Sequence, residues 1–426
     1  VKTVAFLPAK GSSDRVPNKN IRPFNGEPFF AFTLRKLLAC SFIDEVYLDS
    51  EDEGILRYGE RLGARILRRD PSLSGNDTDG HALFRNEIAH VAADVYVHAL
   101  CTSPFVRPET IRRAIAALDD HDSAVLVRRE KVYEWRNGQP VYGDRIPNSI
   151  DLPDRVSEAM GLYVVRGDVA RRLGRRVGES PALIEGDPVE SIDVNTPEDF
   201  FLAERVVAGI VAEESRRLRL LSISLTSAVL SDVCDELGLE CVLPGSFASN
   251  LPRKVFGRAR TMEIREIASG DDDDAIYDAL KSYAWLAGND VVFVRNGTGH
   301  AYFGEINMGL AVRSGAQAAI IDGLTRDSGA TATGDFPVYS RGLCCRDVKG
   351  RGAVASINEP VVVGNVTVCP SDLVFADAEG VMVIPARHEE AVLSRAVEIV
   401  SAEQKIIADV VRDIGVRDLV AKHGFF

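Results

Sequence analysis

Apolar residues in the first half of the chain fall in short unbroken runs, and between them they recur at helical spacing. The run at 4–7, in "VKTVAFLP", predicts a strand buried on both faces, and residues 30–38 predict an amphipathic helix. Further runs follow in "DEVYLDS", "GARILRR", "DVYVHAL" and "SAVLVRR". Strand alternating with helix implies a mainly parallel sheet with helices on both faces. Ligands of such sheets bind beyond the carboxyl ends of the strands. Residues 9–20, "AKGSSDRVPNKN", lie at that end of the first strand.

A polar segment at 134–154, "EWRNGQPVYGDRIPNSIDLPD", reads as a loop or lid with a short edge hairpin. Residues 196–221 then read as one long helix, with Thr196 as N-cap, Pro197 at the first position and acidic residues in the first turn. Its charged end marks a boundary, giving domains at 1–212 and 222–426 joined by a linker at 213–221. The second half is richer in glycine and β-branched runs, such as "DVVFVRNGTG", "AQAAIIDG" and "EPVVVGNVTVCPSDLVFADAEGVMVIP". These predict a compact sandwich or barrel-like α/β domain closed by a helix at about 388–411. The run "DDDD" at 271–274 reads as a solvated helix start.

A length of 426 residues exceeds what one core usually supports, which agrees with two domains. The formal net charge of −13 argues against a general nucleic-acid surface. Any anionic ligand must then be held by local cations and backbone donors. No apolar stretch reaches the roughly 20 residues of a membrane span, and the first residues lack a signal-peptide pattern, so a soluble, cytoplasmic protein is expected. The seven cysteines are scattered and form no CxxC pair, as expected of reduced thiols.

The loop at 9–20 sets Gly11, Ser12 and Ser13 among Lys10, Arg15 and Lys19. Small residues let backbone N–H groups approach a ligand, and lysine adds compact charge, so the pattern suits a phosphate chain. A solvated turn has the same composition.

Six blocks in order resolve that choice: "PAKGSSDRVPNKNIRPFNGEPFFAFTL", "DEVYLDSEDEGI", "RRDPSLS", "HALCTSPFVRPETI", "EAMGLYVVRGD" and "ESIDVNTPEDFFLAE". Over residues 1–210 the chain resembles the acylneuraminate (CMP-sialic acid type) cytidylyltransferases, which implies a Rossmann-like nucleotidyltransferase fold. It also implies attack by a sugar-acid hydroxyl on the α-phosphate of CTP, with Mg²⁺ and loss of pyrophosphate. By that resemblance Lys10 and the backbone of Gly11, Ser12 and Ser13 cradle the β- and γ-phosphates. Lys19 holds the α-phosphate, and Asn20 and Arg69 lie near the nucleotide. Asp193 corresponds to the magnesium-binding aspartate, with Asn195 where the family has a second aspartate. The chain departs from the family at Asp14, in place of a lysine, at Lys10, in place of an arginine, and at the glutamine usually preceding P-T-S-P. Other roles for these residues are an Arg15–Asp14 surface pair, a solvated Arg69, and capping of the 197 helix by Glu190 and Asp199. A related group of cytidylyltransferases acts on phosphonates.

Residues 220–410 resemble the family of RraA and the class II 4-hydroxy-4-methyl-2-oxoglutarate aldolases, through "LTSAVLSDVCDELG", "GEINMGLAVRSGAQAAIIDGLTRD" and "DLVFADAEGVMVIP". The resemblance implies an RraA-like α/β domain. In the aldolases an arginine grips the pyruvate carboxylate and an aspartate beside it holds Mg²⁺. Here these are Arg326 and Asp327, with backbone amides of Gly304, Glu305, Ile306 and Asn307 on the substrate. An enolate next to pyruvate can be stabilised by a magnesium ion and a guanidinium without a Schiff-base lysine. Adjacent at a strand end, the two side chains are expected to diverge. A plain ion pair in an assembly module is the other reading. The two resemblances together imply CTP, an α-keto sugar acid or phosphonate acceptor, no nucleic acid or membrane partner, and a homo-oligomer. Its expected form is a dimer through the first domain and a trimer or hexamer through the second.

Overall fold

In the computed structural model the run at 4–7 lies within strand β1, Thr3–Pro8, and its residues face two cores. Ala5 and Leu7 pack with Leu34, Leu48 and Val97, while Val4 and Phe6 pack with Phe84, Tyr96 and Val165. The structure describes residues 1–13, 15–75, 77–272 and 274–424. Asp14, and with it the expected Arg15–Asp14 pair, lies outside the described residues.

Contacts divide the chain into Val1–Val207 and Ala208–Phe426. The first unit is built on a seven-stranded sheet of β1, β2 (Glu45–Ser50), β3 (Arg65–Arg68), β4 (Val95–Ala99), β5 (Ser123–Glu130), β6 (Arg155–Arg166) and β7 (Pro181–Glu185). Their order across the sheet is β7-β5-β6-β4-β1-β2-β3, and only β6 runs antiparallel to its neighbours. Succession therefore moves outward from β1 to β2 and β3, then returns to β4 on the other side of β1. This reversal leaves a crevice at the carboxyl end of β1. Helices α1 (Phe29–Leu38), α2 (Glu53–Arg61), α3 (Gly80–His90), α4 (Pro108–Ala116) and α5 (Gly167–Leu173) connect the strands. The polar segment at 134–154 holds the expected small hairpin, Trp135–Arg136 against Gln139–Pro140, turned through Asn137 and Gly138 at positive φ.

Helix α6, Pro197–Ser224, runs unbroken through the division and through residues 213–221. Thr196 and Asp199 form a capping box: the Thr196 hydroxyl accepts from the Asp199 N–H, and the Asp199 carboxylate accepts from the N–H groups of Asn195 and Thr196. Glu190 does not share that task. Its carboxylate accepts from the N–H groups of Arg107 and Asp187, ahead of α4, because the chain after β7 folds back toward that helix.

The second unit opens with α7 (Ser227–Glu236) and holds an eight-stranded mixed sheet, β8 (Ala248–Ser249), β9 (Val255–Glu266), β10 (Asp290–Asn296), β11 (Ala318–Thr325), β12 (Val338–Leu343), β13 (Gly352–Ile357), β14 (Leu373–Ala376) and β15 (Val381–Ile384), besides a small hairpin of Val361–Val363 with Val366–Val368. Strands β9 to β12 are parallel in sequence order. The long β9 also takes β14 along its first half and β13 along its second, both antiparallel. Alternate residues of β10 serve different cores, Val291 and Phe293 on one face and Val292 and Val294 on the other. Helices α8 (Glu305–Arg313), α9 (Ser328–Thr331), α10 (Glu389–Val411) and α11 (Val416–His423) complete the unit. Asp274 precedes a 3-10 helix, Ala275–Trp285, and Asp271 caps the preceding turn while pairing with Arg265.

Two candidate active sites, one in each unit

The loop leaving β1 is held by its own polar atoms. Asn20 Nδ2 donates to the Lys10 carbonyl at 2.7 Å, and Asn20 Oδ1 accepts from Cys101 Sγ at 3.3 Å. The Gly11 N–H donates to Glu51 Oε1 at 2.8 Å. A Cβ on Gly11 would lie 2.7 Å from Oδ2 of Asp52, the residue that caps α2, so only glycine fits this approach. Lys19 opens a single 3-10 turn and is buried; its Nζ donates to the Val194 carbonyl at 2.8 Å. Burial lowers its pKa, Arg15 and Lys10 lower it further, and the nearby Cys101 and Asp193 oppose the shift.

Above this floor lies a cavity of about 510 Å³ whose lining includes Lys10, Ser12, Ser13, Lys19, Asn20 and Arg69, together with Arg15. Six of the sequence-derived residues therefore meet at one place, and four side chains there are cationic. Gly11 shapes the same loop from beneath. Arg69 is not the solvated side chain its neighbour is. Arg68 pairs with Glu53 at the surface, while Arg69 is 4% exposed and grips Asp49, with Nε to Oδ1 at 3.1 Å and Nη2 to Oδ2 at 3.1 Å. A guanidinium so fixed presents a preset donor face to a ligand.

Asp193 sits beside this cavity, next to the residue whose carbonyl takes the Lys19 ammonium. Its Oδ2 accepts from Asn195 Nδ2 at 2.5 Å, while its Oδ1 is buried without a hydrogen-bond partner. An unpartnered buried carboxylate oxygen suits a hard cation. Among the described residues no group of three His, Cys, Asp or Glu is placed to hold a metal. Asn195 spends its amide nitrogen on Asp193, which leaves only its carbonyl oxygen for a cation.

Sequence reasoning missed the groups behind Arg69. Asp49, Glu51, Glu87, His98 and Cys101 all surround this region, yet none sits in a glycine-rich or basic motif. A carboxylate inside the apolar run of β2, "VYLDS", was the available signal for Asp49.

In the second unit Arg326 follows β11 directly, and Asp327 adopts a left-handed conformation at φ 56, ahead of α9. The two side chains do not diverge. Asp327 Oδ2 lies 3.8 Å from Arg326 Nε and accepts from the Glu305 N–H at 3.2 Å, because the left-handed turn swings the carboxylate back toward α8. A Cβ on Gly304 would lie 2.3 Å from that same oxygen. Gly304, Glu305, Arg326 and Asp327 thus meet, and the Ile306 side chain beside them is 78% exposed. Asn307 lies one residue further along α8 and is half-buried. The contacts of the Asp327 carboxylate with Arg326 and with the Glu305 N–H both run through Oδ2. Arg326 Nη1 pairs with Asp347 Oδ2 at 2.6 Å, a partner that sequence reasoning missed. Arg326 also borders a small cavity of about 140 Å³ lined by Asn250, Phe303, Thr325 and Ser340.

Residues 4–147 match the family model described as Cytidylyltransferase, and residues 228–383 match the one described as Aldolase/RraA. A pseudaminic acid cytidylyltransferase of Campylobacter jejuni is 30% identical over 132 residues, covering 30% of this chain and 57% of that protein. A CMP-N,N'-diacetyllegionaminic acid synthase of Legionella pneumophila is 24% identical over 225 residues, covering 49% of this chain and 97% of that protein. A putative 4-hydroxy-4-methyl-2-oxoglutarate aldolase of Halalkalibacterium halodurans is 34% identical over 145 residues, covering 34% of this chain and 65% of that protein. The chain thus spans less than two thirds of the Campylobacter and Halalkalibacterium relatives. By these matches the first unit is similar to cytidylyltransferases of the acylneuraminate and pseudaminate type, and the second to the Aldolase/RraA family.

Proposed function

We propose that the first unit transfers CMP from CTP to a hydroxyl of an α-keto sugar acid, of the sialic, other nonulosonic or Kdo-like class. The observation that carries this reading is the convergence of Lys10, Ser12, Ser13, Lys19, Asn20 and Arg69 on one cavity at the carboxyl end of β1. In the reaction the acceptor oxygen bonds to the α-phosphorus, the bond to the β-phosphate oxygen breaks, pyrophosphate leaves, and the hydroxyl proton passes to solvent. Such chemistry is largely positioning and charge neutralisation. Lys10 and the N–H groups of Ser12 and Ser13 hold the outer phosphates, joined by the Gly11 N–H once it leaves Glu51, Lys19 the α-phosphate, and Arg69 and Asn20 the nucleoside side of the cavity. Asp193, with Asn195, would hold magnesium, which when bound neutralises charge on the phosphate oxygens.

For the second unit we propose a Mg²⁺-dependent, pyruvate-aldolase-like site, with Arg326 on the substrate carboxylate, Asp327 on the metal, and the backbone amides of Gly304, Glu305, Ile306 and Asn307 on the substrate, that of Glu305 once it leaves Asp327. An α-keto sugar acid is formally an aldehyde extended by a pyruvate unit, so both activities would address one class of molecule. A second reading, an assembly module without catalysis, is favoured by one observation: Asp347 already occupies the Arg326 guanidinium. Homo-oligomers through either unit belong to this proposal. The test is CTP-dependent pyrophosphate release over sialic-acid-like, Kdo-like and phosphonate acceptors, with pyruvate release from α-keto acids followed in parallel. Turnover with phosphonates alone would reassign the acceptor, and equal use of ATP, GTP and UTP would overturn the nucleotide reading.

A further inference from the structure

Behind the Arg69 wall of the cavity, four segments each contribute one ionisable side chain with almost no exposed surface. Asp49 comes from β2, Arg69 from the chain after β3, Glu87 from α3 and His98 from β4, at 0%, 4%, 0% and 1% exposure. Arg176, Glu51, His81 and Tyr163 complete the surroundings. Arg176 stacks over the Tyr163 ring at 4.2 Å, and its N–H lies 3.4 Å from His81 Nδ1. Glu51 Oε2 stands 3.7 Å from Arg69 Nη1.

The directions of donation in this cluster are fixed by the groups at its two ends. A guanidinium only donates. Arg176 Nη1 lies 3.5 Å from His98 Nδ1, so Nδ1 accepts and the ring proton is left on Nε2, which faces Glu87 Oε2 at 3.0 Å. At the other end Arg69 donates to Asp49 through Nε and Nη2, including a bond to the Asp49 carbonyl at 2.9 Å. Between these ends the buried Glu87 and Asp49 carboxyls interact with each other by charge and by a side-chain hydrogen bond. Two such groups in a dry interior cannot both be ionised. Asp49 has the Arg69 fork. Glu87 has the His98 imidazole beside it and feels Arg69 and Arg176 only through their charge, and neither of its oxygens has a well-aligned donor.

We propose that Glu87 is a positioning residue for the nucleotide: held as a neutral acid, it donates its proton to Asp49 and so fixes the Arg69 guanidinium in the cavity wall. The inference rests on the nucleotide reading above. Burial pushes Glu87 up to about 8, and burial with the Glu87 neighbour pushes Asp49 up to about 7. Burial and the Arg176 charge keep His98 well below its usual range, and it stays neutral. The pair therefore holds one proton near neutrality. Above that window a second anion forms against Asp49, behind a cavity shaped for a polyanion, and Arg69 is drawn back from the ligand.

The experiment measures Mg²⁺–CTP affinity of the full chain by calorimetry between about pH 6 and about pH 9. Wild type should bind several-fold more weakly as pH rises through Glu87, and Glu87→Gln, which still donates but does not titrate, should hold its affinity there. Glu87→Leu, which cannot donate, should bind weakly throughout. Parallel profiles for wild type and Glu87→Gln would overturn the role. An independent readout is carbon NMR of glutamate-carboxyl-labelled protein without nucleotide. One neutral carboxyl should persist at neutral pH and vanish in Glu87→Gln. CTP binding without that neutral carboxyl would overturn the positioning role alone. A neutral carboxyl with no CTP binding at any pH would overturn the nucleotide reading, and the role with it.

Discussion

The ammonium of Lys19 donates to the carbonyl of Val194 at 2.8 Å, which ties the loop after β1 to the residue that follows Asp193 across 175 positions of sequence. One side chain thereby sets the spacing between the cationic cavity and the candidate magnesium ligand. Lys19→Ala removes both the tie and the charge that the proposed function sets on the reacting phosphate. The expected loss is on the order of 10²-fold or more in the rate of CTP-dependent pyrophosphate release. A rate within a few-fold of wild type would remove Lys19 from the machinery.

Gly11→Ala tests the loop geometry separately from its charge. The added methyl meets Oδ2 and Cβ of Asp52 at 2.7 and 2.8 Å, so either the loop lifts or Asp52 leaves its cap on α2. A displaced cap costs about 1 kcal/mol. The variant should melt slightly earlier and bind CTP markedly more weakly; unchanged affinity would mean that the loop backbone does not touch the phosphates.

Stability carries its own signature of Glu87. Its folded pKa is raised from 4.5 to about 8, so the stability due to its proton is complete at acid pH and is lost as pH rises toward that value. His98 acts in the opposite sense, since a lowered pKa costs stability only as pH falls below its ordinary 6.5. Between about 6.5 and about 8 the His98 contribution is silent. Buried Lys36, lowered to about 7, acts in the opposite sense there but alike in both proteins, so melting temperature should fall more steeply, or rise less, with pH in wild type than in Glu87→Gln. Identical slopes would place the proton elsewhere.

Asp347 makes the second site testable. Both it and Arg326 are about a third exposed, so their ion pair contributes about 1 kcal/mol or less to stability. Under the proposed function a substrate carboxylate would have to displace it. Asp347→Asn should therefore leave melting nearly unchanged and tighten pyruvate binding in calorimetry, while Arg326→Lys should abolish it, because a point charge does not reproduce a bidentate grip. Unaltered behaviour in both variants would favour the assembly-module reading.

The order of strands and helices in the first unit was legible because continuous apolar runs such as 4–7 demand burial on both faces, and β1 meets that demand with two separate cores. The cavity loop was legible for a different reason: Gly11 and the lysines are chemically specialised. The cluster behind Arg69 was not legible. Asp49 and His98 approach one another over β1, a relation set by register, with Pro8 opposite Asp49 and Phe6 opposite His98. No local pattern encodes such a meeting. The pairing of Arg326 with Asp347 was hidden likewise, since Asp347 is brought in by a single bridge to Ala301. Nor does adjacency at a strand end fix side-chain directions once a left-handed residue intervenes, as at Asp327.

That left-handed residue restricts which amino acids evolution can try at position 327. The backbone there admits glycine, asparagine and aspartate with little strain and penalises branched side chains heavily. The Glu305 N–H, meanwhile, requires an acceptor oxygen at the end of a one-carbon stem. Glycine satisfies the first demand only and glutamate the second only in part, its stem being a carbon too long. The permitted alphabet shrinks to aspartate and asparagine, and of these only aspartate also brings a charge. Drift at this position should therefore run between those two residues, with asparagine marking a chain that has kept the turn and given up the charge.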